Sequence, residues 1–134
     1  AVLNKTSTRL AEAMFLSFVP VIGDPHLWSF DVAGYPISPL DVVVNGTRHL
    51  HAVWQGVSYD GRADRRQLLN ITSLDCPLVA PGDTDHMLLV DGYHLPDMRG
   101  GVHFNLLNNL WGTAFAQYSL YNDLLFRFVL DFSV

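Results

Sequence analysis

Alternation with a period of two residues constrains this chain more than any other feature. Along LFRFVLDF, Phe126, Phe128, Leu130 and Phe132 fall on one face and Arg127 and Asp131 on the other, the pattern of a strand half-buried against a core. LWSFDV repeats it, with Trp28, Phe30 and Val32 expected inward and Ser29 and Asp31 outward. HLHAVWQ does so again, with Leu50, Ala52 and Trp54 expected inward against His49, His51 and Gln55. No segment carries a 3.6-residue period of comparable length. Only STRLAEAMF, with Ser7 or Thr8 as a cap and Glu12 in the first turn, suggests a short helix.

Turn chemistry supports the same class. Asn45-Gly46 lies between DVVV and TRHLHAVW, and Asp91-Gly92 between MLLV and YHL, so two hairpins are predicted. YDGRAD at 59–64 and VAPGD at 79–83 punctuate further strands. There is no internal repeat, low-complexity tract or linker. A chain of 134 residues, 49% hydrophobic, suffices for one core. The expected fold is all-β, an antiparallel two-sheet sandwich with its layers about 10 Å apart, spanning 1–134 as a single domain or part of one. The initial Ala1 and the strand-like close LLFRFVLDFSV suggest the C-terminal region of a longer protein.

Composition narrows the function classes. The net charge is −5, and Arg62, Arg65 and Arg66 form the only basic cluster, which disfavours nucleic acid as a partner. MFLSFVPVIG, among the longest apolar runs, is about half the ~20 residues that cross a bilayer, so no membrane span is expected. The lone Cys76 excludes a disulfide within these residues and reads either as a small buried hydrophobe or as half of a bridge to another chain segment. Sequons at Asn4, Asn45 and Asn70 mark candidate glycosylation sites and point to a secreted or secretory-pathway protein.

The sequence bears on three kinds of chemistry. His49 and His51 have the His-x-His spacing of a cupin metal site, and His86 follows a Pro-Gly turn, but Gln55 stands near the position where that motif needs a glutamate. A glycosidase needs two carboxylates about 5 to 9.5 Å apart. Glu12 is the sole glutamate, and most aspartates sit in turns or near prolines, so no catalytic residue is expected in this chain. No serine occupies a G-x-S-x-G elbow.

GGVHFNLLNNLWGTAF differs in kind. His103 and Asn105 project to one side of a strand about 6.6 Å apart, at about 3.3 Å per residue. A bulge or turn at Asn108-Asn109 could bring Trp111 to the same side. Amides and imidazole suit sugar hydroxyls and an indole suits the apolar face of a pyranose, so His103, Asn105, Asn109 and Trp111 are candidate carbohydrate-binding residues. The competing reading gives the amides to backbone groups exposed by the bulge and Trp111 to the core.

The blocks NKTSTRLAEAMFLSF, PLDVVVNGTRHLHAVWQGV, LDCPLVAPGD, GGVHFNLLNNLWGTAF and LLFRFVL, in this order, resemble the C-terminal part of a fungal and bacterial family similar to glycoside hydrolase family 38. Ala11 stands where that pattern has a proline. The resemblance implies a galactose-mutarotase-like supersandwich that follows a catalytic barrel in an α-mannosidase-like protein. Zinc and the nucleophilic carboxylate would belong to that barrel, so no cofactor is expected in this chain itself. The implied role is an accessory region contributing to a carbohydrate cleft, with carbohydrate and the parent chain's barrel as partners. The alternatives are a freestanding carbohydrate-binding or adhesion module and a cupin-like metal-binding protein.

Overall fold

In the computed structural model the described residues are 2–3, 12–46, 48–61, 67–83, 95–108 and 124–132. They form eleven strands: β1 (Val2–Leu3), β2 (Ala13–Phe18), β3 (Trp28–Val32), β4 (Tyr35–Ile37), β5 (His51–Ala52), β6 (Gly56–Asp60), β7 (Gln67–Ser73), β8 (Leu78–Pro81), β9 (Val102–Asn108), β10 (Leu124–Leu125) and β11 (Phe128–Phe132). Every pairing is antiparallel. One sheet has the order β11-β7-β6-β3-β4, a second β2-β9-β8-β5, and β1 pairs with β10 apart from both. The fold is therefore all-β with two main antiparallel sheets, as the alternation predicts. No helix among the described residues is long and apolar enough to cross a membrane.

The two sheets bury one face each against the other. Trp28 and Phe30 of β3, Val57 and Tyr59 of β6, and Leu69 and Ile71 of β7 meet Val79 of β8 and Val102 and Phe104 of β9 in one cluster. Phe128 of β11 links the layers, with its ring 5.1 Å from that of Phe104 and 5.7 Å from that of Phe18 on β2. Each such ring or branched side chain, fully buried, contributes roughly 1.5–3 kcal/mol. The β3 pattern matches expectation, with Trp28 and Phe30 sealed and Ser29 and Asp31 turned away.

Elsewhere the alternation holds but its placement differs. In HLHAVWQ the inward positions are His51 and Val53, while Ala52 and Trp54 face out. The His51 ring meets Phe30 edge-on at 5.4 Å. A period of two defines two faces without saying which is covered, and a shift of one residue exchanges them. On β11, Phe128 packs inward, but Leu130 and Phe132 share its side and are exposed although they pair with the core residues Ile71 and Leu69.

The Asn45-Gly46 turn forms without its hairpin. Gly46 N–H donates to the Val43 carbonyl at 2.9 Å and Asn45 takes φ 65°, so Asn45 is the third residue of a turn that requires positive φ there. DVVV is not a strand; β5 pairs instead with β8. A two-residue hairpin that the reading missed joins β3 to β4 through Ala33 and Gly34, both with positive φ (55° and 86°). The described part of STRLAEAMF runs into strand β2. Ser7 and Thr8 lie outside the described residues, as does Asp91-Gly92.

Candidate functional site, the outer face of the five-stranded sheet

Because β3, β6 and β7 give alternate residues to the core, the residues between them line the opposite face. Register then brings distant positions into one row: Ser29 pairs with Ser58, Ser58 with Asn70, and Asn70 with Asp131 of β11. Asn70 Nδ2 donates to Thr72 Oγ1 on the same face at 3.3 Å. Beside this row lies an open cavity of about 440 Å³ lined by Ser29, Asp31, Ser58, Asn70, Gln55 and Trp54, among others. A second cavity of about 470 Å³ adjoins it, sharing Ser29 and Pro36 and reaching Ser38, His26 and Asp60.

Trp54 stands at one end with its side chain 75% exposed. Its backbone is fixed: its N–H donates to the Asp31 carbonyl at 2.7 Å, and the next residue, Gln55, accepts from the Ser73 N–H at 2.8 Å. The chain is thus tied to β3 on one side and to β7 on the other. Gly56 follows, and its lack of a side chain is required, since a Cβ there would run into the Ile71 carbonyl. Asp31 Oδ1 and Asp60 Oδ1 are buried without a hydrogen-bond partner. Buried acceptors are rarely left in this state, and both of these line the cavities. The face therefore combines carboxylates, hydroxyls, the amides of Asn70 and Gln55 and an exposed indole.

The residues singled out from the sequence lie elsewhere. His103 and Asn105 do share one side of β9, on the outer face of the other sheet, but both are buried, His103 to 3% exposure. His103 Nε2 donates to the Gly82 carbonyl at 2.5 Å, and Nδ1 lies 2.7 Å from Ser17 Oγ. That geometry makes His103 a clamp between β2 and the end of β8, where Gly82 and Gly100 approach so closely that a Cβ on Gly100 would lie 2.5 Å from the Gly82 carbonyl carbon. Asn105 is buried with Nδ2 lacking a partner. A bulge in this strand falls between Asn105 and Leu107, which pair with the consecutive residues Phe15 and Met14 of β2; the bulge or turn expected at Asn108-Asn109 extends outside the described residues. Asn109 and Trp111 lie outside the described residues.

Of the sequon residues, Asn45 is exposed in its turn, Asn70 lies in the groove, and Asn4 is outside the described residues. His51 packs inward, and His86 is outside the described residues. No group of three metal-ligating side chains occurs among the described residues. Cys76 is buried, and burial raises its thiol pKa. The groove is not legible in the sequence because Ser29 and Ser58 are unremarkable there, while Asn70 stands out only as a sequon and Gln55 only as the misfit of a metal motif. The available signal was the outward half of the β3 pattern, Ser29 and Asp31.

Comparison of the chain with protein-family models, with curated proteins and with solved structures finds no match.

Proposed function

We propose that this chain is a carbohydrate-binding β-sandwich whose ligand lies along the outer face of the five-stranded sheet. The observation that carries the reading is the exposed Trp54 ring lining a groove whose other lining side chains include hydroxyls, amides and a carboxylate. Sugar rings present hydroxyl edges and an apolar C–H face, so they need hydrogen-bonding partners in a row and a flat aromatic surface at the same site. Asp31, Ser29, Ser58, Gln55 and Asn70 supply the first and Trp54 the second. His103 and Asn105 enter this proposal as supports of the neighbouring sheet rather than as ligand contacts.

The same role fits two settings. One is the accessory region of a glycoside hydrolase family 38-like protein, in which chemistry and zinc reside in a barrel. The other is a freestanding binding module. The sequons accord with a secretory route in both.

The test is calorimetric titration with a panel of oligosaccharides. Trp54→Ala is expected to weaken the bound sugar about tenfold or more, the usual cost of removing an aromatic anchor. Its melting temperature and circular dichroism should be unchanged. A chain that binds no glycan, or a Trp54→Ala variant with undiminished affinity, overturns the proposal.

A further inference from the structure

We infer that the oligosaccharide taken by this groove carries no anionic group; the inference rests on the carbohydrate reading above. Among the described residues, the one charged group lining the cavity at Trp54 is the Asp31 carboxylate. A carboxylate only accepts hydrogen bonds, so the groups it favours beside it in the cavity are donors and not anions. Asp131 pairs with Asn70 in the same row, and Asp60 lines the adjoining cavity.

No lysine or arginine lines either cavity among the described residues. Arg127, which precedes β11, is held by Asp75 at 2.8 Å. A uronate or sulfate placed against Asp31 would add repulsion between like charges. The hydroxyls of a neutral sugar bring donors without that repulsion, while the C–H face of the ring rests on Trp54.

The experiment uses the whole chain and matched hexasaccharides of glucose, mannose and galactose, each beside its counterpart oxidised to the uronate at C6. For any sugar that binds, the neutral member is expected to bind about tenfold tighter at low salt. That gap should narrow near 1 M salt, where the screening length is about 3 Å. Asp31→Asn should narrow it as well. Asp60→Asn is the second variant, and the wild-type comparison stands even if Asp31→Asn fails to fold. A uronate that binds as tightly as its neutral partner overturns this inference and leaves the carbohydrate reading intact. A gap that persists unchanged at high salt and in both variants also overturns it. Binding of none of the six overturns the carbohydrate reading itself.

Discussion

His51 places an ionisable ring between the two sheets, against Phe30. Burial, the largest influence, pushes its pKa below the ordinary 6.5; a hydrogen bond with the Arg48 backbone opposes this and the nearby His49 adds to it. The unfolded chain therefore binds this proton more readily than the folded one. The stability contributed by the neutral ring is fully present above about pH 6.5 and is lost progressively as pH falls below it. Urea midpoints measured between pH 7.5 and 5 should fall over this range, and His51→Phe should flatten the part of the slope that His51 causes. Asp75 acts in a separate window: hydrogen bonds from Arg127 hold its carboxyl below the ordinary 3.8, so its contribution disappears only in more acidic solution. The contrast between His51 and Trp54 also marks the limit of reading burial from residue type. The more polar ring is inside, and the largest apolar side chain of its segment is outside, because β5 is two residues long and the chain bends before β6 begins.

Among the elements, β3 was legible because Trp28, Phe30 and Val32 leave no doubt about which face is apolar, whereas DVVV shows that β-branched residues do not suffice. Pro39 precedes that run, the Asp41 N–H donates to the Ser38 carbonyl at 3.0 Å, and a second turn closes at Gly46, so the segment is consumed by two turns. The β3–β4 hairpin escaped notice because alanine is a poor marker of positive φ. Ala33 at φ 55° is strained relative to an asparagine in the same place. Ala33→Asn is expected to stabilise the protein by about 0.5–1 kcal/mol by creating the preferred Asn-Gly pair. Thermal melts of the two chains check this, and an unchanged or lower midpoint would show that the hairpin is not strained at this residue.

At the level of the whole molecule, the two-sheet architecture follows from patterning alone, while the groove does not. Ser29, Ser58, Asn70 and Asp131 are separated by up to about a hundred positions and meet only through register across four strands, which no local signal encodes. That convergence sets two sequence readings against each other, since the Asn70 sequon opens onto the groove that Trp54 flanks. Chain produced in a glycosylating host and modified at Asn70 is expected to bind free oligosaccharide at least about tenfold more weakly than unmodified chain, because the attached glycan fills the same space. Enzymatic trimming should restore binding, and equal affinity of both forms would place the ligand elsewhere. The floor of the groove is β6, bonded to a neighbour along both edges, and the indole beside it hangs from a backbone tied to strands on either side. On the proposed reading a visiting molecule would meet a finished countertop instead of a closing hand, with arrival governed by encounter, departure by how many contacts must break together, and one backbone expected for the free and occupied forms.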